Sequence, residues 1–598
     1  MEHVSTANGN GSRLRHKTRL TTRRFSNQEV ANILYQMATL YEMKDVQFKP
    51  RAYERAAHGV ESAPDNLQDV FLEHGADALK GIPGVGAGIR GHLEELFTNG
   101  HFKEYETFKK RVPVDIIGLT AVQGVGPQTI KTLWRRLHVK DVDDLEKAGR
   151  AGKISAIPHF GKIAEQKILK NIEFLRKSGH RFILGFVTAD VNRLKSMIAR
   201  MPEAERVEAA GSFRRRKETI GDIDLLIQSE KPERVMSKLL GLPLVAHVYG
   251  TGPTKTSMRL KSGINVDVRI VPAESWGAAL NYFTGSEPHN IALRTIAQKR
   301  GWKLSEYGLF KGKKMLAGRT EEEVYDQLGL PYIEPELREM TGELEAAKAG
   351  KLPKLIPYDA LKGDLQVQTN WTDGNATIEK MADVAEAAGF TYIAITDHTK
   401  SLAMTGGLDE KGLLKQIKEI AKLNKKRNGA GKKLTILSGA EVNIQKDGSL
   451  DISDKVLEQL EVVGAAIHSH FDLPRREQTK RLIRAMENPN VDIIFHPTCR
   501  LINGRPEIQL DIDEVIATAK RTHTILEIDS YPDRLDLRDE YVKKCVQAGV
   551  LLAIDSDAHA PEHFSVLQFG IAQARRGWAT ASDVINTLPL PKMLEKLK

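Results

Sequence analysis

The run GSFRRRKETIGDIDLLI, Gly211 to Ile227, constrains this chain more than any other segment. It sets Asp222 and Asp224 two residues apart inside an apolar stretch, just after a Gly-Ser turn and three arginines. In a strand, side chains at i and i+2 point to the same face. Asp222–Ile227 is therefore expected as a strand that holds two carboxylates together. Such a pair is a hard oxygen site suited to Mg²⁺ or Mn²⁺. The turn before it offers the backbone N–H groups of Gly211 and the hydroxyl of Ser212 to phosphate oxygens.

A chain of 598 residues should hold about three to five compact units. Its net charge of +10 favours a polyanionic partner, although many basic proteins merely keep a solvated surface. Two cysteines, Cys499 and Cys545, cannot build a disulfide framework and suit a reducing compartment. No apolar run is long enough to span a bilayer, and the N-terminus lacks a signal-peptide core; a cytoplasmic protein with no membrane partner is expected. Residues 1–25 carry six Lys/Arg and one acid among small polar residues, which reads as a disordered basic tail.

Ser26-Asn27-Gln28-Glu29 fits a capping box, and Val30, Ile33, Leu34 and Met37 then fall on one helical face. Residues 26–180 read as helical, broken by Gly-rich turns. Gly81-Ile82-Pro83-Gly84-Val85-Gly86 separates two helical segments, and Val122-Gln123-Gly124-Val125-Gly126 repeats it. A helix–GxG–helix element presents backbone N–H groups at the start of its second helix, where they bind a phosphate without reading a base. One GxG could be only a tight turn; two with matching apolar flanks point to sequence-independent DNA binding through Gly84, Gly86, Gly124 and Gly126. Ile157–Lys162 is a degenerate third copy.

Two ions would need a third carboxylate. Asp267 is the candidate, in the clean alternation Asn265-Val266-Asp267-Val268-Arg269-Ile270, with Asp267 and Arg269 on the polar face. Two ions about 3.5–4 Å apart would stabilise both the attacking and the leaving oxygen of an in-line displacement. Ser212 and Arg215 belong to the same site. Further on, Tyr282-Phe283-Thr284-Gly285-Ser286 precedes a helix capped by Ser286, on which Asn290 and Arg294 share a face. Asn and Arg can reach minor-groove acceptors.

Taken in order, the tandem hairpins, GSFRR…GDID, the lone Asp267 and YFTGS…HN…R resemble the family X DNA polymerases over roughly 26–340. The resemblance implies that Asp222 and Asp224 bind both ions and that Asp267 helps activate the primer 3′-hydroxyl. By the same resemblance Gly211, Ser212, Arg215, Tyr282, Phe283, Gly285 and Asn290 hold the nucleotide. Arg294, with Asn290, probes the base-pair minor groove. It further implies gapped or primed duplex DNA and dNTPs as partners, short-gap filling in base excision repair, and a nucleoid-associated, monomeric enzyme. Members with 5′-deoxyribose-phosphate lyase activity carry a Schiff-base lysine after the first hairpin. Here that position is His92, and an imidazole makes no stable imine, so little or no lyase activity is expected.

After residue 359 the rhythm becomes strand, loop, helix. Strands are expected at Asp364–Thr369, Tyr392–Thr396, Leu434–Leu437, Val462–Ile467, Val491–Phe495, Thr524–Ile528 and Val550–Ile554. Residues 359–598 resemble a PHP (polymerase and histidinol phosphatase) domain, a distorted barrel with a cluster of two or three metals that supports 3′→5′ exonuclease and abasic-site cleavage. The matching positions are Asp373, His398, Glu441, His468, His496, Asp557 and His559, with His470 a further candidate. The usual His-x-His is replaced by Gln366-Val367-Gln368. A glutamine carbonyl is a weaker ligand and offers no ring nitrogen. A depleted Mn²⁺ or Zn²⁺ site with weak or absent nuclease is expected.

The fold class expected is thus multidomain α/β. A disordered tail (1–25) leads into a helical DNA-binding domain with the first helix-hairpin-helix (26–108). A fingers-like helical domain with the second hairpin (109–180), an α+β nucleotidyltransferase palm (181–275) and a small α+β thumb (276–340) follow. A linker (341–358) then joins a distorted (β/α) barrel of PHP type (359–598). Two other readings stay open: a template-independent nucleotidyltransferase, and an active PHP phosphoesterase with a DNA-binding front half.

Overall fold

The computed structural model describes residues 25–597 apart from 26, 62, 64, 65, 83, 121, 123, 159, 179, 180, 403 and 404. The basic tail up to residue 24, Ser26 of the capping box, and Pro83, Gln123 and His159 of the three turns lie outside the described residues. Two compact units are present. One holds the described residues up to Thr120 together with Gly126–Leu145, and the other holds the rest of the chain.

The first unit is helical. Helix Asn27–Met43 buries Val30, Leu34 and Met37 against helix Lys49–Glu61 and helix Ala87–Asn99. Phe25, counted with the tail from sequence, belongs to this core: its ring is buried near Phe97, and its N–H donates to Gln68 Oε1 at 2.7 Å.

The two hairpins share their backbone geometry. Gly84 has φ +76° and Gly124 φ +88°. Gly86 (φ −74°, ψ 175°) and Gly126 (φ −79°, ψ 178°) stand at the N-caps of helices Ala87–Asn99 and Pro127–Leu137. Neither cap is closed by a side chain, so the first-turn N–H groups face outward from exposed glycines. Gly84 is doubly constrained. A Cβ there would lie 2.6 Å from the backbone of Arg55 and Ala56.

In the second unit, a five-stranded sheet runs in the order Arg206–Ala209, Asp222–Gln228, Asn265–Val271, Lys255–Leu260, Val245–Thr251. Asp222–Gln228 and Asn265–Val271 are parallel neighbours, with Asp224 directly opposite Asp267. Ile223, Leu225, Val266 and Val268 are buried while Asp224, Asp267 and Arg269 are half-buried, the alternation that a one-sided sheet face imposes. Helices Trp276–Thr284 and Glu287–Lys299 and a three-stranded sheet of residues 303–317 follow. Helix Glu287–Lys299 has Ser286 at its N-cap position, but that hydroxyl is buried without a hydrogen bond; the expected Ser286 cap does not form.

Residues 341–358, expected as a linker, contain helix Glu343–Lys348. Glu343 is fully buried and pairs with His289 at 2.7 Å. The Ala/Lys-rich composition conceals this long-range partner.

The C-terminal sheet has seven parallel strands in chain order: Gly363–Val367, Tyr392–Ile395, Thr435–Asn443, Val462–Ala466, Ile493–Ile494, Ile525–Asp529 and Leu552–Asp555. The first and last edges approach closure. Gln368 N–H donates to Ala558 O at 2.8 Å and Ala558 N–H to Gln366 O at 3.2 Å. These strands are buried almost throughout and mostly apolar, as helices on the outside of a parallel barrel require, but Asp364, Gln366, Glu441 and Glu527 are buried polar exceptions within them. No helix among the described residues is long and apolar enough to cross a membrane.

Candidate active sites

The strand register brings Asp222, Asp224 and Asp267 together at the N-terminal ends of two neighbouring inner strands of the five-stranded sheet. Gly211, at φ +59°, passes so close to Asp224 that a Cβ there would collide with Oδ2. Only glycine lets the turn lie against that carboxylate. Ser257 on the adjoining strand donates its hydroxyl to Asp267 Oδ1. Burial, then repulsion from Asp222 and Asp267, pushes the Asp224 carboxyl up to about 7. These carboxylates are coupled by charge, yet they do not form a set with ligand atoms all within 4.8 Å of one another; among the described residues both such sets lie in the barrel. Hard oxygen donors that repel one another in a half-buried cleft fit Mg²⁺ or Mn²⁺.

A polar cleft of about 960 Å³ opens beside them. Gly211, Ser212, Arg215, Asp222, Asp224, Tyr282, Phe283, Gly285, Asn290 and Arg294 all line it; Asp267 adjoins through its register with Asp224. The adjacent arginines divide their tasks. Arg214 turns inward to Glu321 at 2.5 Å and to Thr284 Oγ1 at 2.7 Å, while Arg215 keeps to the cleft, its Nε on Glu339 at 2.9 Å. Asn290 Nδ2 donates to Tyr282 O at 2.6 Å, tying the helix to the aromatic pair. The Tyr282 and Phe283 rings meet edge-on at 5.2 Å. Sequence reasoning missed Ser257, which reaches Asp267 from the adjoining strand, and Glu339, Asp539 and Arg576, which come to this cleft from distant segments without a motif.

The second centre lies at the C-terminal ends of the barrel strands. Glu441 is its hub. It meets His468 Nε2 and His496 Nε2 at 2.9 Å and His398 Nδ1 at 3.2 Å. Asp373 Oδ2 stands 3.6 Å from both His398 Nε2 and His559 Nε2. Burial would raise the Glu441 pKa, but the imidazoles outweigh it and hold the carboxylate well below its usual range. His559 is pushed up to about 10 by Asp557 and Asp373 against its burial. Two ligand sets result, Asp373/His398/His559 and His398/Glu441/His468. Imidazole and carboxylate donors in these sets fit a transition-metal ion.

The glutamines occupy the same chamber. Gln368 Nε2 donates to Glu441 Oε2 at 2.8 Å, and both amide atoms of the buried Gln366 lack a partner. An amide N–H aimed at Glu441 consumes a lone pair that a cation would use. His470 does not join; it is exposed, in neither ligand set, with its carbonyl accepting from Gln478 at 2.8 Å. Unforeseen from sequence are the buried acids Glu527, Asp529 and Asp555, which burial and mutual repulsion drive well above the normal carboxyl range. Arg534 Nε offsets this charge, 3.4 Å from Asp529 and 3.9 Å from Asp557.

In the first unit, His92 is engaged with Tyr53 Oη at 2.6 Å and Glu104 at 3.3 Å, and stacks on Phe102.

A hairpin-bearing helical unit, a sheet with three carboxylates beside a large polar cleft, and a metal-capable parallel barrel define a nucleic-acid polymerase joined to a hydrolase-type domain. Comparison with known proteins agrees. Residues 25–102 match the helix-hairpin-helix domain, 279–339 the DNA polymerase beta thumb and 364–529 the PHP domain. A relative in Bacillus subtilis (strain 168), "DNA polymerase/3′-5′ exonuclease PolX", is 35% identical over 576 residues, 96% of this chain and 99% of that protein. DNA polymerase lambda of Arabidopsis thaliana is 25% identical over 354 residues, 52% of this chain and 62% of that protein. A Leishmania infantum polymerase beta structure, a ternary P/T complex, shares 24% identity over 38% of this chain and 97% of that one, at a TM-score of 0.25. The chain belongs to the family X DNA polymerases that carry a C-terminal PHP domain. It is a DNA-directed DNA polymerase that uses divalent metal and acts on DNA.

Proposed function

We propose that this polymerase is template-directed and fills short gaps during base excision repair, joining dNTPs to a primer by nucleotidyl transfer. The observation that supports this best is the pairing of Asp224 with Asp267 across parallel strands, with Asp222 at the same sheet end. Divalent ions, Mg²⁺ or Mn²⁺, supply Lewis acidity to the 3′-hydroxyl and charge neutralisation to the triphosphate. Asp222 and Asp224 hold them. Asp267, oriented by Ser257, draws the proton of the primer hydroxyl. Ser212 and Arg215 grip the triphosphate, and Tyr282 and Phe283 press on the sugar, excluding a ribose hydroxyl. Asn290 and Arg294 face the minor groove of the nascent pair. The exposed N–H groups beside Gly84, Gly86, Gly124 and Gly126 hold the duplex by its phosphates. The protein works as a monomer on nucleoid DNA in the cytoplasm.

The reading is tested by primer extension on a gapped duplex. Asp267→Ala should abolish incorporation while the protein still binds DNA; normal incorporation would remove Asp267 from the mechanism. Extension indifferent to the template base would favour the template-independent alternative.

For the barrel we propose weak or absent 3′→5′ exonuclease. The Bacillus subtilis relative carries exonuclease in its name. Here the amide of Gln368 is bonded to Glu441, and Gln366 offers only a neutral carbonyl. Asp373, His398 and His559 would hold one cation and Glu441 with His468 a second, Mn²⁺ or Zn²⁺, with the glutamine side of the chamber depleted. We also propose that lyase activity is absent, since His92 is committed to Tyr53 and Glu104.

A further inference from the structure

The cleft beside the three aspartates is walled in part by the barrel domain, through Arg538, Asp539 and Arg576. Arg576 ends helix Leu567–Arg576 and is buried. Its Nη1 donates to the carbonyl oxygen of Arg215 at 2.9 Å and to Glu339 Oε1 at 3.2 Å. Its Nη2 pairs with Asp539 Oδ2 at 2.5 Å. Glu339 is thus shared. The same Oε1 accepts from Arg215 Nε at 2.9 Å, and Lys217 stands 3.7 Å from its other oxygen. Arg215 Nη1 is held by the carbonyl of Thr284.

We infer that Arg576 is a positioning residue for nucleotidyl transfer, through which the PHP domain sets the availability of Arg215 for the incoming triphosphate. This rests on the proposed role of Arg215. Three cations (Arg215, Lys217, Arg576) face two carboxylates (Glu339, Asp539) in a half-buried cluster around the buried Arg576, where a charge is felt more strongly than in water. While Arg576 engages Glu339, that carboxylate is partly neutralised. Arg215 then spends Nε and Nη1 on fixed partners and keeps Nη2 for a ligand. The bond from Arg576 to the Arg215 carbonyl also pins the backbone that aims this side chain. Without Arg576, Glu339 loses a cation and draws Arg215 and Lys217 more tightly. Every nucleotide must then compete with a stronger internal ion pair.

The test uses the full chain, steady-state single-nucleotide incorporation on gapped DNA, and five proteins: wild type, Arg576→Ala, Glu339→Gln, the double variant and Arg215→Ala. Losing a charge-assisted bond should raise the KM for dNTP about tenfold in Arg576→Ala, with kcat changed by no more than about threefold. Glu339→Gln alone should lower KM, and in the double variant it should restore KM to near the wild-type value. A merely structural arginine would instead lower the melting temperature and kcat, and Glu339→Gln would rescue neither. Wild-type KM in Arg576→Ala, or a double variant no better than the single, overturns the inference provided Arg215→Ala does raise KM. If Arg215→Ala leaves KM unchanged, the parent reading of Arg215 fails first. Should Arg576→Ala not fold, Glu339→Gln decides: an unchanged or higher KM overturns the inference.

Discussion

The polymerase cleft and the barrel chamber are both built by parallel strands that bring acids together, yet they differ in what the acids meet. In the cleft, Asp222, Asp224 and Asp267 meet mainly one another, and the outcome is a carboxyl pushed up to about 7. In the barrel, Glu441 is surrounded by three imidazoles and one amide, and is held well below its usual range. The first site is short of positive charge, which a divalent cation would supply. In the second, the Gln368 amide is hydrogen-bonded to Glu441 while the amide of Gln366 has no partner. Family membership alone does not separate these states; the donor atoms do.

The largest effect expected is in the cleft. Asp224→Ala should lower primer extension by about a thousandfold or more, since preorganised charge stabilisation is the largest part of such catalysis. The same substitution should leave any residual barrel nuclease unaltered. Next, Gln366→His with Gln368→His should raise dNTP-independent primer degradation in Mn²⁺ by about 10–100-fold, in line with the worth of ligand support at metal sites. A folded, metal-loaded double variant that gains nothing would contradict the ligand-loss argument.

A third prediction concerns pH. Below its raised pKa of about 7, Asp224 holds a proton that a cation must displace. The Mg²⁺ concentration for half-maximal extension should fall by about tenfold per pH unit as pH rises toward 7, then level off. A flat dependence between pH 6 and 8 would show that Asp224 is ionised throughout.

The smallest effect is on stability rather than chemistry. Glu321 is buried between Arg338 at 2.6 Å and Arg214 at 2.5 Å. Burial raises its pKa, but the two guanidinium groups outweigh it and bring it down to about 2. A depressed carboxyl stabilises the fold fully above its ordinary value near 4.5, and that stability is lost as pH falls toward 2. Glu321→Ala leaves the buried Arg338 and the half-buried Arg214 short of a partner and should cost about 3–5 kcal/mol in a denaturation midpoint experiment at pH 7.

Much of this was legible from the chain, for reasons that particular residues make plain. Asn265–Ile270 alternates strictly, so its polar face and Asp267 could be assigned before any fold was known. Most of the seven barrel strands showed as short, largely apolar runs because both faces of a parallel barrel are covered. Gly84 and Gly124 announced their turns because no other residue takes φ near +80° without strain. What stayed hidden depends on distant partners. Glu343 in the expected linker reads as a solvated acid until His289 is found beside it. Arg576 resembles any helix-terminal arginine until the fold brings it to the carbonyl of Arg215, 361 positions away. Phe25 looked like the end of a tail because nothing next to it in sequence is apolar.

The most direct measurement is a gel of a labelled primer on a gapped duplex, with Mg²⁺ or Mn²⁺, in lanes with and without dNTPs. The contrast between the two centres predicts primers lengthened to close the gap when dNTPs are present and left almost intact when they are withheld. Rapid shortening in the dNTP-free lanes, or no lengthening with either metal, would contradict it.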